Sequence, residues 1–561
     1  MSRASLGGWV WSLLRLDFTG VAFAALFFCL SLTPSLLPRD WLSAGVIGGI
    51  NAAIGYGIGV IVGRALRRRM SRRAKWIVVT ASIAASLVMV IPAAAWQRRV
   101  SAIMGIDGPH AVGYLRTVPV ALLVGGLLIA VARLFKDAVK GVARLMIRRW
   151  NLNDEVATFI GTAIVVALII TLVNGVLVRG LLAGASAVFQ PQNASTRPGV
   201  DQPRQPERSG SPMSFAPWDT LGLQGRTFVG TGPGAGELTA LNGRPAKAPI
   251  RIYAGLQSGD TVESRIAVLL SELQRTRAYE RKLLVIIPTT GTGWVDPIAA
   301  RAIESMYNGD TVLVAMQYSY LPSWISFLAD RQKSVETGRA MIDAIHQRWL
   351  QWPRQRRPML ALYGESLGSM AGQGAFGYLR DIVAMDFSSV LWVGPPNQSA
   401  LWRALTARRD PGSPEVQPRY DNGRTVRFAQ ASDAGEIAAV AAPPWEGTRV
   451  LYLQHASDPV VWWSPDLLAR RPDWLREPPG IDRSPSMRWY PIVTFFQVTA
   501  DMAGNVTDST DTPDGHGHKY GDLQLDGWVA VAAPEGWTPF DTDRVRRALD
   551  KAMAAGGPEF A

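Results

Sequence analysis

What the chain has little of narrows it first. Among 561 residues there is one cysteine, Cys29, and there are five histidines. A single thiol excludes a disulfide within the chain and any metal site built on cysteine pairs. Cys29 lies in an apolar run, where a thiol behaves as a small apolar side chain. Acidic residues are also in deficit: 45 Asp and Glu stand against 58 Lys and Arg, a net charge of +13. Such an excess suits nucleic acid when it forms a face for phosphates. Here the basic residues cluster in loops between apolar runs and in one linker, which is the pattern of membrane orientation. The expected partner is a lipid bilayer, with no nucleic acid.

The mean hydropathy of +0.09 averages two unlike regions. Residues 1–185 hold nearly all the long apolar runs and read as a five-helix transmembrane domain. The runs are Phe18–Leu37, Ser43–Val62, Trp76–Trp96, Val118–Leu134 and Val156–Val178, each long enough to cross about 30 Å of hydrocarbon at about 1.5 Å per residue. The first is too long, and too weakly followed by a small-residue cleavage signal, for a cleaved signal peptide. Gly48, Gly49, Gly55, Gly57 and Gly59 crowd the second, which points to close helix packing. None of the runs carries a central acidic residue, which argues against a transporter with a proton relay.

Arg64, Arg67, Arg68, Arg69, Arg72, Arg73 and Lys75 follow the second run, and Arg133, Lys136, Lys140, Arg144, Arg148 and Arg149 follow the fourth. The intervening loops are poorer in basic residues, so the two rich loops are expected in the cytoplasm. The N-terminus is then cytoplasmic and everything after about Val178 lies outside a cell membrane. Residues 135–152 also suit a basic amphipathic helix on the inner leaflet.

Residues 186–214, rich in Pro, Ser, Gln and Arg, read as an extended linker. Residues 215–561 then alternate strand-like and helix-like segments. Ile250–Ala254, Leu283–Pro288, Thr311–Tyr318, Met359–Tyr363, Val390–Gly394 and Val450–Gln454 are apolar on consecutive positions, as strands covered on both faces are. Helical patterns at Val262–Lys282, Val295–Met306, Trp324–Trp349 and Ser369–Tyr378 separate them. The expected fold class is a transmembrane helical bundle followed by an α/β domain with a mostly parallel sheet.

The chemistry-bearing motif is Gly364-Glu-Ser-Leu-Gly368, directly after an apolar strand and before a helical pattern. In that strand–turn–helix context Ser366 stands exposed at the top of the sheet as a nucleophile; the bland alternative is a structural turn. A serine nucleophile needs a base and an acid that orients it, in the chain order Ser, acid, His. The acid is expected at Asp458, in the loop after Val450–Gln454, with Asp466 as fallback. Of the histidines, His516 and His518 in Gly515-His-Gly-His518 follow that acid. His518 is favoured because it is nearer the next helix, and His516 is the alternative base; a His-x-His metal site lacks an accompanying acidic or Cys cluster. The oxyanion hole is expected from the backbone N–H of Leu367 with one from Thr290 or Gly291 in Thr289-Thr-Gly-Thr-Gly-Trp294. That string lacks the Gly-Lys-Ser/Thr ending of a phosphate loop, so no cofactor and no metal are implied.

With these segments in view, the chain resembles a bacterial family of α/β-hydrolases that carry their own N-terminal multi-helix membrane domain. The resemblance rests on Gly291-Thr-Gly-Trp-Val-Asp-Pro297, Gln317-Tyr-Ser-Tyr-Leu-Pro-Ser323, Gly364-Glu-Ser-Leu-Gly368, Leu453-Gln-His-Ala-Ser-Asp-Pro459 and Gly515-His-Gly-His518. It implies an esterase-like hydrolase of the cell envelope and no particular substrate. One departure stands out: no clear final strand precedes the histidines, and Met487–Met502 reads as an apolar helix instead.

A tethered serine hydrolase suits a lipid or another acylated envelope substrate. Trp324, Ile325, Phe327, Leu328, Trp462 and Trp463 are candidates for an acyl pocket or for contact with headgroups. The competing readings are an envelope acyltransferase using the same triad and a catalytically silent lipid-binding or scaffold protein. Oligomeric state is left open by the sequence.

Overall fold

The computed structural model describes residues 16–66, 71–150, 153–172, 179–321, 325–326, 331–430, 433–506 and 512–560. The chain forms two compact units whose segments interleave. One gathers Met1–Ala183 with Pro465–Leu475 and Ser484–Asp501; the other holds Gly184–Ser464, Arg476–Arg483 and Met502–Ala561.

In the first unit three described helices are long and apolar enough to cross a membrane: Trp41–Ala65, Arg73–Ile103 and Val112–Trp150. The first apolar run is a shorter helix, Phe18–Ser31, because the chain leaves helical geometry after Leu32 well before Leu37. Asp154–Leu172 is a further apolar helix, and residues 173–178 of the fifth expected run lie outside the described residues, as do Arg67, Arg68 and Arg69. The glycine-rich helix does pack closely. A Cβ on Gly59 would stand 2.6 Å from Thr19 O, and one on Gly49 would stand 2.8 Å from Ala121 O. The loop after the first helix is fastened by a buried ion pair, Arg39 Nε to Asp501 Oδ1 at 2.8 Å. Gln497 adds donors to Ser31 O and Thr33 O at 3.1 and 3.0 Å. The helix carrying Gln497 and Asp501 runs Val493–Val506 and not from Met487. Pro491 explains the late start: it offers no N–H and keeps Tyr490 out of helical geometry.

The second unit is built on seven parallel strands: β1 Ile250–Ala254, β2 Leu283–Pro288, β3 Thr311–Met316, β4 Met359–Glu365, β5 Ser389–Val393, β6 Val426–Gln430 and β7 Arg449–Gln454. Their spatial order is β1-β3-β2-β4-β5-β7-β6. Nearly every strand residue is buried, since helices cover both faces, and this is why the strands read as unbroken apolar runs. β6 escapes such a reading because Arg and Gln interrupt its short sequence, Val-Arg-Phe-Ala-Gln. Arg427 is tolerated there because its guanidinium donates to the carbonyls of Gly423, Val440, Ala441, Pro443 and Pro444.

Residues 186–214 are no free tether. They continue the helix Arg179–Ala194 and then pack along β1, the edge strand. Ser209 N–H donates to Arg251 O at 3.0 Å and Arg251 N–H to Glu207 O at 3.2 Å, which occupies backbone groups an edge strand would otherwise leave open. Arg208 is buried and bonds to the carbonyls of Val229, Thr231 and Pro233. A polar composition was needed for these contacts, so it mimicked that of a linker.

Candidate active site

Parallel strands deliver their carboxyl ends to one edge of the sheet, and the candidate residues gather there. β4 lies between β2 and β5, and at its end Ser366 adopts φ 53° and ψ −125°. For a residue with a Cβ this backbone costs about 1–3 kcal/mol and must be held by its surroundings. The Ser366 N–H donates to Val393 O at 2.9 Å, at the end of β5, and the chain turns at once into the helix Leu367–Gln373. Gly368 is required by close approach: a Cβ there would stand 2.3 Å from Pro288 O, at the end of β2.

Two strands away in the sheet, β7 leads into the loop with Asp458, whose side chain is fully buried. One of its oxygens accepts from Val460 N–H at 2.8 Å and caps the turn Pro459–Trp462. The other accepts from His518 Nδ1 and from Tyr520 Oη, both at 2.7 Å. Asp458 is therefore both a cap and an orienter of imidazole. A carboxylate only accepts, so in the neutral ring the proton sits on Nδ1 and Nε2 becomes the nitrogen able to take one up. Burial lowers the His518 pKa, but the charge and hydrogen bond of Asp458, with the charge of Glu365, more than offset it and leave it above the usual histidine value. The ring lies over Gly394, immediately after the Val393 carbonyl that holds Ser366. A Cβ on Gly394 would meet His518 Cε1 at 2.6 Å. The strained serine and the Asp458–His518 pair thus rest on adjacent residues, Val393 at the end of β5 and Gly394 just after it.

The other candidate base has a different partner. His516 Nδ1 lies 3.5 Å from Asp482 Oδ2, and its side chain is 19% exposed. His455 is buried, its Nδ1 bonds to Gly517 O at 2.7 Å, and its ring stacks on Tyr520 at 4.2 Å. His346 bonds to Met385 O at 2.9 Å on the helix Arg331–Leu350, and His110 precedes a short helix in the first unit. Asp466 is exposed in the short turn Pro465–Leu468, and the carboxylate bonded to His518 is that of Asp458.

Of the expected oxyanion donors, Leu367 opens its helix, so its N–H has no acceptor within that helix. Thr290 N–H donates to Trp294 O at 3.3 Å, which closes the Gly-rich turn and commits that amide. Gly291, the other choice, packs beside Leu321 O and Ser326. Among the proposed apolar contacts, Trp463 is half-buried against Leu367 and Met370, next to the elbow. Trp462 is instead wholly interior; its Nε1 donates to His455 O at 2.8 Å and its ring meets Trp402 edge-on. It lines no surface, because an indole with a buried carbonyl partner gains more inside than in a pocket wall. Ile325 is half-buried, and Trp324, Phe327 and Leu328 lie outside the described residues.

Residues 250–545 match the α/β-hydrolase family, and residues 32–233 match the N-terminal region of that family. The chain belongs to the α/β-hydrolase family. No curated protein and no solved structure matches it. Three features of this α/β-hydrolase go beyond its motif residues. Tyr520, two residues after His518, shares the Asp458 oxygen. Glu365, next to the elbow serine, is buried beside Asp296 and Gln524, and Tyr363 Oη donates to it at 2.9 Å. Burial first, and then the Asp296 charge, push the Glu365 carboxyl up to about 8, against the pull of His518 and its hydrogen bonds. Finally, among the described residues no strand lies between Gln454 and His518.

Proposed function

We propose that this α/β-hydrolase is a membrane-associated serine hydrolase that cleaves a carboxylic ester through Ser366, His518 and Asp458. The observation that carries the reading is the strained Ser366 backbone anchored on Val393, one residue from the glycine that seats the Asp458-bound His518 ring. In the proposed reaction His518 Nε2 takes the proton from Ser366 Oγ as that oxygen attacks the ester carbonyl carbon. The developing oxyanion is met by the N–H groups of Leu367 and Gly291. As the tetrahedral intermediate collapses, the C–O bond to the alcohol breaks and His518 returns the proton to that oxygen. Water, activated by the same nitrogen, then releases the acyl group as a carboxylic acid. Asp458 keeps the ring in the required tautomer and stabilises the imidazolium.

The substrate class we infer is a lipid or another acylated envelope component. Helices able to cross a membrane and the half-buried Trp463 beside the elbow support it. The basic loops after the second and fourth apolar runs favour a cytoplasmic N-terminus and an extracytoplasmic catalytic unit. Fluorophosphonate labelling of the full-length protein tests the mechanism. Label on the wild type and none on Ser366→Ala is expected; an unlabelled wild type, or equal label on both, would overturn it. Protease access to residues 215–561 from the cytoplasmic face would reverse the orientation.

A further inference from the structure

A base carried on a loop needs firm support, because a displacement of about 1 Å at a reacting group can cost about a hundredfold in rate. The segment Gly515–Tyr520 makes a tight turn closed on itself, with Gly515 N–H to Lys519 O at 2.8 Å and Lys519 N–H to His516 O at 3.2 Å. Its middle residue, Gly517, is gripped from both sides by the loop that follows β7. The Gly517 carbonyl receives His455 Nδ1, and the Gly517 N–H donates to Ser457 Oγ at 2.8 Å.

Ser457 is wholly buried, and its single hydroxyl proton must point away from the amide it receives. It goes to Asp482 Oδ2. The other oxygen of Asp482 accepts the Ser457 backbone N–H at 3.1 Å, so one carboxylate grips both ends of the serine. Asp482 is itself seated by the edge of the sheet. Ile481 N–H donates to Gln430 Oε1 at 2.9 Å, on the last residue of β6, and a Cβ on Gly480 would meet that oxygen and Ala456. His516 faces the same carboxylate from its exposed side. Burial pushes the Asp482 pKa up, but hydrogen bonds from His516 and Ser457 and the nearby His455 outweigh it. The group stays below the usual value and hence ionised at neutral pH.

We propose that Ser457 and Asp482 are positioning residues that hold the Gly517 peptide, and through it the His518 ring. The inference rests on the serine-hydrolase reading given above. Neither residue touches the reacting atoms; Asp482 orients the Ser457 hydroxyl, and the hydroxyl fixes the turn.

The test uses full-length protein in detergent, with a p-nitrophenyl ester as probe and fluorophosphonate labelling in parallel. Ser457→Ala and Asp482→Asn should each lower kcat about 10–100-fold while KM stays within about twofold, since the loss is of base alignment. The acid limb of the kcat/KM profile should move down toward pH 6.5 as His518 loses its grip on Asp458, and Ser457→Thr, which keeps the hydroxyl, should restore most of the rate. A folded Ser457→Ala with wild-type kcat and an unmoved pH profile would overturn the proposal, as would a loss that Ser457→Thr does not repair. Should both variants fail to fold, the wild type carries the test: amide exchange at Gly517 as fast as in an unstructured peptide would overturn it, and slow exchange would support it. A wild type that takes no label and turns over no ester would instead sink the hydrolase reading on which the clamp depends.

Discussion

The two histidines of Gly515-His-Gly-His518 stand two residues apart, each facing an aspartate, yet their surroundings differ throughout. His518 meets Asp458 at 2.7 Å, with Tyr520 on the same oxygen, and its side chain is 12% exposed over Gly394. His516 stands 3.5 Å from Asp482, whose closer commitment is to Ser457. A tight turn sends alternate side chains to different places, so one ring goes toward the elbow and the other toward the loop's support. The lesson is that a His–Asp pair is defined by what else the carboxylate holds. Asp458 holds an imidazole ring over Gly394, whereas Asp482 holds the Ser457 hydroxyl that receives the Gly517 N–H.

The largest test of this contrast is His518→Ala, expected to lower kcat about 10³–10⁴-fold in ester turnover with the fold intact. A loss of that size from His516→Ala instead would exchange the two roles. Next comes Gly394→Ala, a change remote in sequence from both histidines. Its methyl would occupy the His518 ring position at a residue with φ +53°, so a fall of about a hundredfold in kcat is expected, without loss of the His516–Asp482 side. Unchanged turnover would show that the ring does not work from its seat over Gly394. His516→Ala itself should cost about 2–5-fold, the scale of a partly exposed polar contact, and rate measurements on purified protein decide it.

The smallest effect concerns pH. With its pKa raised, His518 becomes the neutral base only as pH rises above 6.5, so kcat/KM should climb through a midpoint above that value. Glu365 is only partly charged below about pH 8, so Glu365→Gln, which removes that partial charge, should shift the midpoint down by less than about one unit. The same variant carries a stability signature. Native Glu365 binds its proton up to about pH 8 while the unfolded chain releases it near 4.5, so stability should fall as pH rises through that window. Thermal melts of Glu365→Gln should lose part of that slope, and an unchanged slope would show that Glu365 does not hold its proton to about pH 8 in the folded chain.

Much of this was legible in residue order. Ser366 could be read because a sharp turn, an apolar strand and a helix all leave local marks. Asp458 could be read because it follows a late strand, and Pro459 marks the turn it caps. β6 could not, since an edge strand with Arg427 and Gln430 buries polar groups through contacts made from elsewhere in the chain. Asp482 was equally silent: Gly480-Ile-Asp-Arg-Ser484 has no pattern of its own, and its importance arises from residues 25 positions earlier. Trp462 and Trp463 show the same limit at adjacent positions, one sealed in the interior and one beside the elbow, because side-chain direction in a loop is set by packing. The Pro- and Arg-rich stretch before Phe215 was misleading for a related reason, since Arg208 is polar in composition and buried in place.

By itself, then, the sequence determined the alternation of strands and helices, the sharp strand–turn–helix at Ser366, the loop with Asp458 after a late strand and the concentration of apolar runs in the first third. Each of these follows from local periodicity and turn chemistry, which act over a few residues. Which histidine faces which carboxylate, what grips the Gly515–Tyr520 turn, and what raises the Glu365 carboxyl were decided only by tertiary structure. Those are meetings of groups tens to hundreds of residues apart, and their energies exist only once the sheet has brought its carboxyl edge together.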